Sequence, residues 1–490
     1  MMSLNYLANI GRFVPEMIAC ATMFGLILIE ATHDRSDENR GLFYAAAIGG
    51  LAVAFFYLLN HIGLPAQSIF TKSVIIDPFS TLAKAIMVLA TIGSIYLAFN
   101  SNDIYPRLKA EFSILATGIL VGGMLLASAN NMLILYIGIE TLSILSYAMA
   151  SLKKNSDKSS EAGLKYTLYG GVTSGIMLFG MAHVFGLTGS IEFGAIATSL
   201  KNMDAAQSAI LLPAFLLFFA GIGYKIACVP FHMWSPDVYE GSPTPVTAFF
   251  AMVPKVAGIT ILLRVTTSFF GDNTILNVAW VGLLQIAAAL TMTVGNVTAI
   301  GQTSVKRMLA YSSIAHAGNM MLGVLVINEV GASAILFYAI TYIFMTVVAF
   351  GITSALQDEY GNDHRNRFKG LIKRYPLMAI VMSIALFSLA GLPPLSGFIA
   401  KFNIFAALIS KGYYTLAVVA ALNSVVGLYY YMKLVRIMTL DEVESEQKLE
   451  SFGFVRQLTI SIIAIPIVLL GIFWSKIMLL AKAGKLFVNL

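Results

Sequence analysis

The chain has 490 residues, of which 58% are hydrophobic and only 11% charged, with a formal net charge of +6. Ordinary soluble domains carry about 25% charged residues, so a mean hydropathy of +0.81 leaves too little polar surface to cover a soluble globule of this length. The basic excess is no nucleic-acid footprint either, because it lies in short loops between apolar runs.

Taken in order, the sequence predicts 14 apolar spans: near 13–30, 42–60, 78–99, 110–129, 130–151, 161–186, 208–236, 244–270, 275–298, 304–328, 330–356, 377–410, 413–438 and 457–476. Each approaches or exceeds the roughly 20 residues that a spanning helix needs. The first does not read as a cleaved signal peptide, since it ends in Glu30 and further spans follow at once. Cys20 and Cys228 lie inside apolar runs without CxxC spacing, which argues against a disulfide framework, a zinc site or an iron–sulfur cluster. There is no GxGxxG, GxxxxGK(S/T) or HExxH.

With the N-terminus outside, the inward loops hold about 18 lysines and arginines, against about 8 outside, Arg264 counted among the latter. This predicts both termini on the non-cytoplasmic side.

Five lysines fall within spans: Lys84, Lys165, Lys225, Lys255 and Lys401. Lys84 is near Asp77 and Lys165 near Glu161, so both can snorkel to the interface. Lys225 and Lys255 flank a turn near Glu240 in KIACVPFHMWSPDVYEGSPTPVTAFFAMVPK. Two antiparallel helices would carry both ammonium groups about 20 Å from that turn, near the middle of a hydrocarbon core about 30 Å thick. An ionisable group at such depth costs at least about 2.5 kcal/mol and marks a functional site by default. Pro230 interrupts the first helix, and such a break survives at membrane depth only beside protein or a wet cavity.

Glu140 lies mid-span and must be neutral or paired; the plain alternative is a static salt bridge. In the twelfth span, Pro393 and Pro394 precede Lys401. Residues 377–410 would form a straight helix of about 50 Å, so the span must tilt or break. Two proline-interrupted spans with lysines, five spans apart, point to an inverted repeat with midplane sites. Among the histidines, His316 suits a proton relay; His183 and His232 read as core histidines. The fold expected is all-α integral membrane, with about 14 transmembrane helices, two inverted five-helix repeats and broken helices 7 and 12. The divisions are 1–105 (three helices), 106–270 (helices 4–8), 271–440 (helices 9–13) and 441–490 (a loop and helix 14).

GIETLSILSYAMASLKK, SSEAGLKYTLYGG, CVPFHMWSPDVYEGSPTPVTAFFAMVPKVA, VKRMLAYSSIAHAG and SLAGLPPLSGFIAKFNIF together resemble the antiporter-like, proton-translocating membrane subunits of respiratory complex I (NADH–quinone oxidoreductase). PDVYEGSPTPVTAF resembles the N type rather than the M or L types. The chain departs from the L type in lacking a long C-terminal lateral helix, and from the M type in carrying Lys401 where that type has a glutamate.

The resemblance implies a Glu140–Lys225 pair, with Lys255 central, Lys401 in the twelfth span, Lys165 in the sixth and His316 as relay. It implies no cofactor on this chain, with quinone, flavin and iron–sulfur clusters in partner subunits. Expected partners are K-type and M-type neighbours, the lateral helix of the L-type subunit, the hydrophilic arm and the lipid bilayer, with no nucleic acid. The expected location is a bacterial inner membrane, or alternatively a thylakoid or other energy-converting membrane. Subunits of multisubunit cation/proton antiporters and membrane-bound hydrogenases share the broken helices and remain the alternative host.

Overall fold

The computed structural model describes residues 10–32, 40–153, 155–270, 275–442 and 452–484; both termini, whose sidedness the sequence addresses, lie outside the described residues. The order begins α1 (Val14–Thr32), α2 (Arg40–His61), β1 (Gln67–Ile69), β2 (Val74–Ile76), α3 (Pro78–Asn100), α4 (Leu108–Ala127), α5 (Met132–Ala150) and α6 (Asp157–Thr188). It continues α7 (Phe193–Lys201), α8 (Ala205–Ile226), α9 (Trp234–Gly241), α10 (Thr244–Phe269), α11 (Ile275–Ile300), α12 (Val305–Val324) and α13 (Glu329–Tyr360). The short α14 (Leu371–Arg374) leads into α15 (Pro376–Ala390), α16 (Ser396–Ser410), α17 (Tyr414–Thr439), α18 (Phe454–Ile472) and α19 (Trp474–Ala483).

Twelve of the described helices are long and apolar enough to cross a membrane. The expected seventh span is α8, a break and the short α9; the expected twelfth is α15 and α16, 15 residues each. The all-α expectation needs one correction. β1 and β2 form an antiparallel hairpin, docked by Ile75 N–H on the Ser128 carbonyl at 2.9 Å. Three-residue strands between two spans carry too little periodicity to be read from sequence.

At the centre stands α10, whose apolar window is wholly buried. It packs against α3, α4, α8, α12 and α13. Pro243 offers no side chain to cap it. The cap comes instead from Asp103, whose carboxylate accepts from Thr244 N at 2.9 Å, Lys153 Nζ at 3.0 Å and Gln357 Nε2 at 3.1 Å. An acid at a helix N-terminus is favoured by both the open N–H groups and the dipole.

Two basic residues lie elsewhere than their sequence context predicts. Arg264, counted with an outer loop, is buried in α10. Its Nη2 donates to both Asp77 oxygens at 3.1 and 3.0 Å and to the Ala127 carbonyl at 3.2 Å. Lys84 does not snorkel. It is 1% exposed and ion-paired at 2.5 Å with Glu16 of α1, which is equally buried. In both cases a carboxylate distant in sequence removes the need to reach water.

Breaking a buried pair by removing one partner costs about 3–5 kcal/mol, because the other charge is left uncompensated. Asp77→Ala is therefore expected to lower the Tm of the chain in its membrane complex markedly, and Asp77→Ala with Arg264→Met to recover much of the loss. Thermal unfolding followed by tryptophan fluorescence checks this. A single variant melting like wild type would show that the pair carries no weight.

Candidate functional site

The first break begins where α8 stops at Ala227, which takes the left-handed conformation at φ 57°. The break costs backbone hydrogen bonds, and three neighbours restore them. Cys228 N–H folds back on the Gly223 carbonyl at 2.9 Å, Val229 N–H donates to Thr291 Oγ1 at 2.9 Å, and Trp234 Nε1 donates to the Tyr224 carbonyl at 3.1 Å. A Cβ on Gly223 would stand 2.9 Å from both Cys228 Sγ and the Phe231 ring, so a larger residue would have to push these side chains aside.

Lys225, in the last turn of α8, is fully buried, and its Nζ makes no hydrogen bond among the described residues. It lies instead over a cage of rings, 5.4 Å from the centroid of Tyr166, 5.9 Å from Tyr147 and 6.0 Å from Tyr224. Trp234, the first residue of α9, stacks on Tyr166 at 4.2 Å and so closes the cage with the broken half-helix. Ring faces attract a cation without binding its protons.

Glu140 of α5 is half-buried and accepts a hydrogen bond from Ser174 Oγ of α6. No direct ion pair joins it to Lys225, although the two are within electrostatic range. The sequence expects a pair; the structure holds its members apart.

Lys255 of α10 is buried, donates to Ser313 Oγ of α12 and lies 5.8 Å from the Tyr239 ring centroid. Ser312, Ser313 and His316 rise along α12. Ser312 Oγ is hydrogen-bonded to Tyr431 Oη, and the same hydroxyl lies 3.2 Å from His316 Nε2. His316 Nδ1 lies 2.6 Å from Tyr338 Oη. Both ring nitrogens therefore face phenols that can give or take a proton.

Lys255 and Lys401 are both within electrostatic range of His316. At the second break, α15 ends at Ala390 and α16 starts at Ser396. Lys401 Nζ donates to the Ala390 carbonyl at 2.9 Å. That carbonyl belongs to the last turn of a half-helix, whose orphan groups and dipole favour a cation. Gly391 holds φ at 89°, and a Cβ there would stand 3.0 Å from Lys401 Cδ. Pro230 lies between α8 and α9, and Pro393 and Pro394 lie between α15 and α16.

Lys165 sits apart from this buried row. It is 36% exposed and pairs at 2.6 Å with both Glu161 and Asp237. Arg307 binds Asp237 and Glu240 at 2.8 Å each, and Lys158 binds Glu240 at 3.1 Å. These six groups line a cavity of about 170 Å³ at the end of α9. Among the described residues His183 bonds its own helix, through the Phe179 carbonyl at 2.9 Å, and His232 is half-buried in the first break. Among the described residues, no group of three or more His, Cys, Asp or Glu could hold a metal.

The phenols of Tyr338 and Tyr431 were invisible as site residues, because each lies far from His316 in sequence and tyrosine in an apolar span reads as packing. The run Tyr429–Tyr430–Tyr431 beside Asn423 was the available signal.

A family model described as NADH:quinone oxidoreductase/Mrp antiporter, transmembrane, matches residues 129–427, which include every buried lysine of the row. The chain belongs to this family. It is 40% identical over 97% of both chains to a protein named NADH-quinone oxidoreductase subunit N 2 from Sorangium cellulosum. Its fold matches a chain of respiratory complex I from Thermus thermophilus with a TM-score of 0.79, at 28% identity, covering 96% of this chain and 100% of that one. It also matches a chain of the Mrp complex from Dietzia sp. DQ12-45-1b with a TM-score of 0.80, at 20% identity and 96% coverage of both, which speaks to the fold alone.

Proposed function

We propose that this chain is the N-type, proton-translocating membrane subunit of a NADH–quinone oxidoreductase, moving protons on its own side chains. The observation that carries this reading is the buried row Lys225, Lys255, His316 and Lys401. Its polar atoms face aromatic rings, hydroxyls or a helix-end carbonyl rather than permanent counter-charges. A cation held that way can lose its proton without leaving a carboxylate stranded.

Protons are taken up at the charged cavity, where Lys165 and Arg307 keep Asp237 and Glu240 engaged. The Lys225 ammonium is stabilised when the Glu140 carboxylate approaches. When Glu140 is drawn to Ser174, that stabilisation is withdrawn and the proton moves on to Lys255. From there Ser313, Ser312 and Tyr431 lead to His316 and then to Lys401, with water in the helix breaks completing the path. A proton path with no driving reaction only dissipates a gradient, so quinone reduction in partner subunits supplies the energy. Those partners hold the quinone, flavin and iron–sulfur clusters; the K-type and M-type subunits, the L-type lateral helix and the hydrophilic arm are the expected neighbours.

Counting α12 and the α15–α16 pair as spans gives 14. The lysine-bearing breaks, five spans apart, support two inverted repeats over 106–270 and 271–440 after a three-helix segment, 1–105, with a loop and last helix over 441–490. The excess of basic residues in alternate loops supports both termini on the non-cytoplasmic side of a bacterial inner membrane.

Reconstitution of the whole complex in proteoliposomes tests the function. Lys255→Met is expected to slow proton pumping by about tenfold or more, a barrier rise of about 1.4 kcal/mol, with coupled quinone reduction falling in step. Unaltered pumping would remove Lys255 from the path. A complex lacking this chain should keep its full flavin absorbance and iron–sulfur spectroscopic signals; a loss in proportion to this subunit would place a redox group here.

A further inference from the structure

Where α11 ends and α12 begins, a narrow cleft is lined by Arg365, Lys433 and Tyr430, with Ile300, Met308 and Ile437 among its apolar walls. Arg365 and Lys433 are both partly exposed, and neither side chain has a hydrogen bond or ion pair among the described residues. Neighbouring cations are engaged: Arg374 donates to Tyr360 Oη and the Lys369 carbonyl, and Arg367 lies 5.0 Å from the Tyr360 ring centroid. The nearby acid Asp363 is also committed, to Ser304 Oγ and the Lys306 N–H. Two open positive charges therefore share one cleft.

What lies beyond the charges identifies the ligand. On α17, Val418, Leu422, Val425 and Tyr429 are all more than half exposed, and the three- and four-residue steps between them continue to Lys433. Lys433 thus ends an apolar stripe that runs back along the membrane-spanning helix. A soluble anion would use the cations and leave the stripe bare; an anionic headgroup joined to acyl chains uses both. Basic clefts between membrane helices bind acidic headgroups on this principle.

We propose that Arg365 and Lys433 form a binding site for the phosphate of an anionic glycerophospholipid, whose acyl chain lies along the Val418–Tyr429 stripe. The lipid bridges the foot of α12 to α17, the two helices joined higher up by Ser312 and Tyr431. Lipid retention is the readout rather than pumping, so failure of this site and failure of the proton-path reading are separable.

The test uses the whole complex in nanodiscs of phosphatidylcholine doped with phosphatidylglycerol, then detergent washing and native mass spectrometry of the released subunit. Wild type is expected to retain phosphatidylglycerol selectively. Each cation near an anionic headgroup contributes about fivefold, so Arg365→Gln with Lys433→Gln should weaken retention about thirtyfold. Arg365→Lys with Lys433→Arg should keep it, and Lys433→Gln alone tests the site if the double variant assembles poorly. Equal retention of phosphatidylcholine, or equal loss in Lys373→Gln on the neighbouring surface, would overturn the proposal. So would displacement of the lipid by inorganic phosphate, which would mark a site for a free anion.

Discussion

Glu140→Gln is expected to leave the complex assembled and to remove most of its proton pumping and coupled quinone reduction. The amide keeps the shape and can still bond Ser174, but it brings no charge to stabilise the Lys225 ammonium. Among the described residues Lys225 Nζ has rings around it and no hydrogen-bonding partner, so Glu140, the carboxylate in electrostatic range, is the group whose position decides whether the proton stays. A static bridge predicts a different pattern. Single substitutions would cost several kcal/mol of stability, and removing both charges would largely restore the protein. The double variant Glu140→Gln with Lys225→Met separates the two: a switch has no titrating group left and stays inactive. Pumping by that variant at near wild-type rate would refute the switch.

Lys401→Met should be comparably damaging by a different route. Methionine fills the space beside Gly391, so assembly and thermal stability should change little. The Ala390 carbonyl loses its cation, and the path beyond His316 loses its next titrating group. Pumping in proteoliposomes is expected to fall by about tenfold or more, while the flavin-site reaction with an artificial electron acceptor stays unchanged. Wild-type pumping in this variant would leave Lys401 as a cap on the α15 carbonyls and nothing more.

The spans, the two breaks and the buried lysines were legible in the sequence because each breaks a strong local rule. A lysine or a proline inside an apolar run is costly, and position along the run gives its depth. The partners were not legible, because hydrophobicity says nothing about which face of which helix meets another. Lys84 therefore read as a snorkelling residue until Glu16 closed on it, and Arg264 as a loop residue until Asp77 did. The sequence expects Glu140 and Lys225 to pair and carries no sign of their separated arrangement, with Glu140 on Ser174 and Lys225 in the ring cage. Asp237, Glu240 and Arg307 lie far from Lys165 in sequence; only the fold gathers them around one cavity.

The Asp77–Arg264 contact also bears on how the chain is made. Arg264 lies 187 residues after its partner, and at about 5–20 residues per second it leaves the ribosome roughly 10–40 s later. The segment that becomes α10 then enters the bilayer with two cations: Lys255 at mid-depth, where insertion costs about 2.5–3.5 kcal/mol, and Arg264 near the C-terminal end of the helix, where the cost is smaller. By that time Asp77 already stands in the membrane as a resident counter-ion, so the order of synthesis places the acid before the base that needs it. Asp77→Asn should then lower the fraction of nascent chains in which residues 244–269 insert, which glycosylation mapping of arrested chains can measure.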